Sequence, residues 1–166
     1  MNIREITEDD IPALFVVRVA THENQLTLEE LASLGVTEET VKARLRGTFK
    51  GWLCEVNAQV VGFAMGDRAT GELWVIAILP EYIGQGIGSA LLRRVEDWLE
   101  ANGCARLWLT TDVDPSLKAY RFYRQHGWHD DRIEHGLRYM VKDISHKEGI
   151  VSEQTAALRH GSSEMI

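Results

Sequence analysis

Residues 74–92 read Trp74-Val75-Ile76-Ala77-Ile78-Leu79-Pro80-Glu81-Tyr82-Ile83-Gly84-Gln85-Gly86-Ile87-Gly88-Ser89-Ala90-Leu91-Leu92. Their order is strand, tight loop, helix. The apolar run up to Leu79 is strand-like, and Pro80 stops it because proline has no N–H to give to a ladder. Gly84, Gly86 and Gly88 then alternate. Without side chains they let backbone N–H groups turn inward and come close to a ligand, while the helix that starts among them exposes amides with no partner inside the helix. Such a loop cradles an anion, most naturally phosphate.

The spacing decides which phosphate loop this is not. A dinucleotide fingerprint, G-x-G-x-x-G/A, needs its third small residue three places after the second glycine. Starting from Gly84 that place is Ser89, and starting from Gly86 it is Leu91. The ATP-binding P-loop needs Gly-Lys-Ser or Gly-Lys-Thr, and neither occurs. A structural turn with tight helix packing is the alternative to a ligand site.

Composition sets the frame around this loop. With 166 residues, 45% of them hydrophobic, the chain suits one globular domain with a core. The net charge of −7 and pI near 5.4 give no general attraction to nucleic acid or to an anionic membrane. Cys54 and Cys104 stand far apart without His or Cys neighbours at ligand spacing, so neither a metal site nor a disulfide framework is expected. The first residues lack the basic and apolar regions of a signal peptide, no apolar run reaches membrane-spanning length, and a cytoplasmic protein is expected.

Before the loop, Asn2–Ile6 alternates as a short strand. Thr7 with Asp10, Thr27 with Glu30, and Thr37 open three helices. The first carries Ile11, Leu14, Phe15, Val17 and Val19 and breaks near Thr21–Asn24. The second turns Leu28, Leu31 and Leu34 to one side and stops at Gly35. The third carries Val41 and Leu45 and closes at Gly47. Trp52–Val56 and Val60–Met65 flank Asn57-Ala58-Gln59 as a hairpin.

After the loop, Leu91, Leu92, Val95, Trp98 and Leu99 recur at helical spacing up to a stop at Gly103. Arg106–Thr111 is a strand, Pro115 starts a helix that runs to His126, Trp128 begins another strand, and Leu137–Val141 is the last. Strand, helix, strand implies a crossover and a parallel pair. Trp52, Trp74, Trp108 and Trp128 fall on strands as core residues. The domain is read as residues 1–144, followed by a polar tail over 145–166 with a loose helix around Glu153–Arg159.

The loop resembles the acetyl-coenzyme A motif of the GCN5-related N-acetyltransferase (GNAT) superfamily, Gln/Arg-x-x-Gly-x-Gly/Ala. Gly86 and Gly88 match it, as do the flanking Leu79-Pro80-Glu81-Tyr82 and Gly84. Ile83 occupies the leading Gln/Arg position, where a backbone N–H remains. A second segment, Ala119-Tyr120-Arg121-Phe122-Tyr123-Arg124-Gln125-His126-Gly127-Trp128, is similar to the family's Asn-x-x-Ala-x-x-Phe-Tyr followed by Gly-Phe or Gly-Trp, with Ser116 where Asn is usual. The resemblance implies an α/β fold with a mixed, mostly antiparallel sheet of six to seven strands and helices on both faces. It implies acetyl transfer from acetyl-coenzyme A (acetyl-CoA) to a primary amine of a small molecule or peptide by direct attack in a ternary complex, with no metal, and homodimers are frequent in the family.

On that resemblance, Ile76 and Ile78 align the pantetheine and the thioester through backbone groups. Ile83, Gly84, Gln85, Gly86, Ile87, Gly88 and Ser89 form the pyrophosphate cradle, and Ser116 and Tyr123 complete the cofactor contacts. Tyr123 also takes the role of proton donor to the leaving thiolate. A phenol of ordinary pKa, ~10, stays protonated where a thiol of ~8.5 ionises. The alternative is that Tyr123 and Phe122 are core aromatics of an amphipathic helix. For the base that takes the amine's proton, Glu72 and Glu23 are candidates, and both also fit solvated surface carboxylates. Lys118, Arg121 and Arg124 fit either a contact to the 3′-phosphate or a solvated helix face. The reading from another functional class is a non-catalytic acyl-CoA-binding or regulatory module, for which Ile83 and Ser116 are the departures that speak.

Overall fold

The computed structural model describes residues 1–144. The expected tail at 145–166 and its loose helix lie outside them. Seven strands form one sheet in the order β1-β2-β3-β4-β5-β7-β6, mostly antiparallel and flanked by helices. The strands are β1 (Asn2–Glu5), β2 (Phe49–Val56), β3 (Gln59–Asp67), β4 (Glu72–Ile78), β5 (Arg106–Asp112), β6 (His129–Glu134) and β7 (Leu137–Asp143). The helices are α1 (Ile11–Val19), α2 (Leu28–Ser33), α3 (Glu38–Arg46), α4 (Ile87–Ala101) and α5 (Lys118–Gln125). Two compact units divide the described chain. One holds Met1–Gly66 and Val75–Val95, and the other holds Asp67–Trp74 and the residues from Glu96 onward.

In the first unit, β1 pairs antiparallel with β2, Ile3 opposite Cys54. Arg4 on β1 holds both Asp10 at 2.8 Å and Glu55 at 2.9 Å, which seats the turn that leads into α1. Each capping residue read from the sequence is in use: Thr7 with Asp10, Thr27 with Glu30, Thr37 with Thr40. Ile11, Leu14, Val17 and Val41 are buried, while Phe15, Val19 and Leu45 are only half-buried. Helix α2 differs: only Leu31 is buried, while Leu28 and Leu34 are 58% and 66% exposed. A six-residue helix has room for one inward position, so the periodicity there overstates the core.

The hairpin between β2 and β3 turns on two residues, Asn57 (φ 51°) and Ala58 (φ 63°). Two left-handed residues in succession match the twist of the paired strands. Asparagine tolerates that conformation and alanine does so at a cost.

In the second unit, residues 68–71 turn back into β4. Asp67 accepts from the Ala69 amide at 3.0 Å and the Thr70 hydroxyl at 3.2 Å. Gly71 (φ 81°) is required there twice over, since a Cβ would also lie 2.8 Å from the Arg106 carbonyl oxygen. β4 and β5 pair parallel with Glu72 opposite Trp108, which is the crossover pair expected from the sequence. β7 lies antiparallel to β5 along seven residue pairs and to β6 across a bulge at Asp131. Trp108 and Trp128 are buried; Trp52 and Trp74 are only half-buried.

Helix α5 begins later than expected. Pro115 does not start it, because Asp114 accepts from both the amide (2.9 Å) and the hydroxyl (2.7 Å) of Ser116, closing a local turn that competes with the helix. The first helical residue is Lys118.

Candidate active site

The glycine loop lies in the first unit, between β4 and α4. A 3-10 turn, Pro80–Tyr82, follows the strand, and Leu79 is anchored back to Val61 on β3 at 2.8 Å. Gly84 (φ 87°) and Gly86 (φ 84°) are both left-handed, on either side of Gln85. A Cβ on either glycine would meet nothing within 4 Å. Crowding therefore does not explain these glycines. Their conformation does, and the space beside them is open.

The first helical bond of α4 runs from the Ala90 amide to the Gly86 carbonyl at 3.1 Å, so the amides of Ile87 and Gly88 precede any intrahelical partner. Fifteen residues of aligned peptides stand behind them and add the positive end of a helix dipole. Together, alternating left-handed residues and a helix N-terminus form a concavity that suits an anion.

Ile83 contributes less than the sequence suggests. Its amide is committed to the Pro80 carbonyl at 3.3 Å, and its side chain is 49% exposed. The cradle therefore starts at Gly84. Gln85 is exposed and its amide nitrogen donates to the Glu81 carbonyl at 3.4 Å.

Sequence reasoning missed Gly62, on β3 beneath the cradle. A Cβ there would lie 2.7 Å from Ile78 Cδ1, 3.2 Å from the Ala77 carbonyl oxygen and 3.5 Å from Ile87 Cγ2. Gly62 thus lets the end of β4 settle onto β3. The signal was visible as a lone glycine inside a strand pattern, which marks close backbone approach.

Ile76 and Ile78 share one face near the end of β4, both half-buried. Glu23 lies in the turn after α1, a segment fixed by Arg18, which donates to the Asn24 carbonyl at 3.2 Å. These residues and 83–89 belong to the first unit; Glu72, Ser116 and Tyr123 belong to the second.

Tyr123 sits on α5 and is 9% exposed. Its ring meets Phe122 edge-on at 5.5 Å and lies 6.1 Å from Trp128. Burial pushes the phenol up to about 12, since a phenolate would have no water to solvate it. Its backbone carbonyl accepts from the His126 and Trp128 amides at 3.0 and 3.1 Å, which ends the helix and aims the chain into β6. Ser116 is exposed and already donates its hydroxyl to Asp114, whose carboxyl is held below the usual range by those bonds. Glu72 starts β4, six residues before Ile78, with its amide on the Thr70 hydroxyl at 3.3 Å. Among the described residues no cluster of His, Cys, Asp or Glu suits a metal ion, and no helix is long and apolar enough to cross a membrane.

The sequence pattern of the acetyltransferase (GNAT) family matches residues 15–128, from α1 to the residue before β6. This chain belongs to the GNAT family. Its backbone is similar to that of the PaiA N-acetyltransferase of Thermoplasma acidophilum in complex with coenzyme A, at a TM-score of 0.74 and 19% identity over 87% of this chain and 100% of that one. It is also similar to the ribosomal-protein-S18-alanine N-acetyltransferase of Escherichia coli, at 0.71 and 23% identity over 90% and 97% of the two chains. A GNAT-family acetyltransferase of Staphylococcus aureus Mu50 gives 0.71 at 17% identity over 86% and 98%. The seven-stranded, mostly antiparallel sheet flanked by helices thus matches the GNAT fold, and the glycine loop and α5 fall inside the matched segment.

Proposed function

We propose that this GNAT protein transfers the acetyl group of acetyl-CoA to a primary amine by direct attack in a ternary complex. The observation that carries the reading is the loop itself: two left-handed glycines bordering open space, directly ahead of a fifteen-residue helix. Amides of residues 84–88 bind the pyrophosphate of the substrate, and the backbone of Ile76 and Ile78 aligns its pantetheine arm and thioester.

The amine nitrogen attacks the thioester carbonyl. A C–N bond forms, the C–S bond breaks, and the sulfur leaves as thiolate. Tyr123 is assigned as the proton donor to that charge. At about 12 it remains protonated through the neutral range and donates to sulfur. The thiolate takes that proton as coenzyme A departs, and the nitrogen gives up its second proton as the amide forms, which restores the phenol. The attacking amine, with a lysine-like pKa near ~10.4, must first lose a proton, and Glu72 or Glu23 is the acceptor of it. The acceptor is a small-molecule or peptide amine; the net charge of −7 favours a cationic one.

Ile83 favours the second reading, a module that binds acyl-CoA without turning it over, because its apolar side chain stands at the head of the cradle. One experiment separates the two: release of free thiol from acetyl-CoA across polyamines, aminoglycosides and short peptides with free N-termini, with the acetylated amine identified by mass. Thiol release matched by product on at least one amine is the expected result. Binding of acetyl-CoA with no release on any amine gives the protein to the non-catalytic reading, and no binding removes both.

A further inference from the structure

Helix α5 is only eight residues long and is preceded by irregular chain, so its own hydrogen bonds do little to fix where it lies. Besides its packing on β5, side chains of β7 bond to both of its ends. Arg138 and Lys142 are four residues apart on that strand and therefore point to the same face. Their separation, about 13 Å at ~3.3 Å per residue, is close to the ~12 Å length of an eight-residue helix.

Arg138 works at the N-terminal end. It is 9% exposed, and its guanidinium donates to the Val113 carbonyl at 2.7 Å and to the Asp130 carboxylate at 3.1 Å. Its plane lies over the Tyr120 ring, 4.6 Å from the centroid, and the Tyr120 hydroxyl donates to the same Asp130 oxygen at 3.1 Å. One cation thus grips the loop before α5 and the first turn of the helix. Its Nε is buried with no hydrogen-bond partner among the described residues. A buried donor left unpaired destabilises a fold, so Arg138 is poorly explained as a device for stability alone.

Lys142 works at the other end. Its ammonium donates to the His126 carbonyl, just past the last turn of α5, at 2.8 Å, where the negative end of the helix dipole lies. The same ammonium meets both oxygens of Glu96 at 3.1 and 3.2 Å, and Glu96 also accepts from the Trp128 indole at 2.8 Å. Gly127 (φ 86°) turns the chain beside the lysine stem.

We propose that Arg138 and Lys142 are positioning residues that hold the two ends of α5 and thereby set where the Tyr123 hydroxyl lies. The inference rests on the reading of Tyr123 as proton donor. Among the described residues, the bonds of the two cations go to Val113, Asp130, His126 and Glu96 and the ring contact to Tyr120, not to Tyr123. They act through the helix that carries it, so their loss lowers the chemical step while leaving the glycine loop intact.

The test compares Arg138→Met, Arg138→Lys and Lys142→Met in the full chain, using an amine found to be a substrate and, separately, amide exchange over residues 118–125 against residues 87–95. For Arg138→Met the expected result is kcat lower by about tenfold or more, KM for acetyl-CoA within about twofold, and exchange accelerated in α5 but not in α4. Arg138→Lys should recover only part of the loss, because an ammonium cannot present the two-pronged donor set of a guanidinium. Lys142→Met should loosen chiefly the C-terminal turn and cost less in kcat. Unchanged kcat and unchanged α5 exchange in Arg138→Met overturn the proposal, and so does a rise in KM that matches the fall in kcat. If Arg138→Met fails to fold, the lysine variant and Lys142→Met decide by the same criteria. If the wild-type protein transfers acetyl to no amine, the reading of Tyr123 falls on that result, and the exchange data alone decide whether the two cations hold α5.

Discussion

The glycine loop and helix α5 achieve definition by opposite means. Residues 79–89 are shaped chiefly by backbone: left-handed glycines at 84 and 86, a 3-10 turn, and a helix start, alongside a side-chain bond from Gln85 to the Glu81 carbonyl. Residues 113–128 are shaped by side chains: Asp114 on Ser116, Arg138 on Val113 and Tyr120, Lys142 on His126, Glu96 on Trp128. A backbone device keeps its form under most side-chain changes and loses it when one glycine is replaced. A side-chain device loosens by degrees. Binding of an anion needs the first kind, because its donors are amides. Placing one hydroxyl needs the second, because a short helix has no rigidity of its own.

The largest effect expected falls on Tyr123. Tyr123→Phe keeps the ring and its packing on Phe122 and Trp128 but removes the donor, so kcat should fall by about 100-fold, within the range for loss of a general acid. The dissociation constant for acetyl-CoA, read by calorimetry, should move by less than about twofold if the two regions divide the work. Equal losses in both would end the comparison. The same phenol gives a sign to alkaline stability. Its folded value, about 12, stands above the ~10 of an unfolded tyrosine. Below pH ~10 both states hold the proton and nothing is lost. Between about pH 10 and 12 the unfolded state ionises first, so stability falls as pH rises, by about 2–3 kcal/mol in full. Tyr123→Phe should flatten that alkaline limb in denaturation curves taken from pH 9 upward.

Gly86→Ala comes next and tests the backbone device. The open space beside Gly86 rules out a steric clash, so the cost is conformational, about 1–2 kcal/mol for a left-handed alanine. If the loop relaxes, its amides turn away, and acetyl-CoA affinity should weaken by about tenfold with Tyr123 chemistry, judged by kcat at saturation, nearly unchanged. A fall in kcat with unchanged affinity would place Gly86 outside the cradle.

The sequence discloses these two regions unequally. Strand, loop and helix from Trp74 to Leu92 were legible because proline and glycine set the backbone locally, and the caps at Thr7, Thr27 and Thr37 because their bonds join residues only three apart. The supports of α5 were not. Leu137-Arg138-Tyr139-Met140-Val141 reads only as a last strand, and nothing in that stretch discloses that Arg138 is buried along with Tyr139 and Met140. Only the partners Asp130, Val113 and Tyr120, brought in by pairing with β6 and by the fold of the chain after β5, give the arginine its place. Pro115 misled in a related way: its N-terminal preference for helices was overridden by the Asp114 turn. Ile83 kept an N–H on paper, but the 3-10 turn had already used it.

The smallest effect expected comes from reversing the Gly86 substitution elsewhere. Ala58, in the β2–β3 turn, has φ 63° and so occupies the left-handed region with a side chain, next to Asn57 at φ 51°. Here the chain tolerates the strain that it avoids at Gly86. Ala58→Gly should relieve about 1–2 kcal/mol of that strain, offset by the greater freedom glycine gains in the unfolded chain, ~0.5–1 kcal/mol. The net is a stabilisation of about 0.5–1 kcal/mol, read as a higher denaturant midpoint at constant slope. Acetyl-CoA affinity should not move. Two alanines in one conformation, one native at 58 and one introduced at 86, thus isolate what the loop adds. If Ala58→Gly stabilises while Gly86→Ala costs stability and affinity together, the left-handed glycine at 86 serves the ligand. If Gly86→Ala costs only the stability that Ala58→Gly returns, the loop is a turn like any other and the anion is bound by the helix end alone.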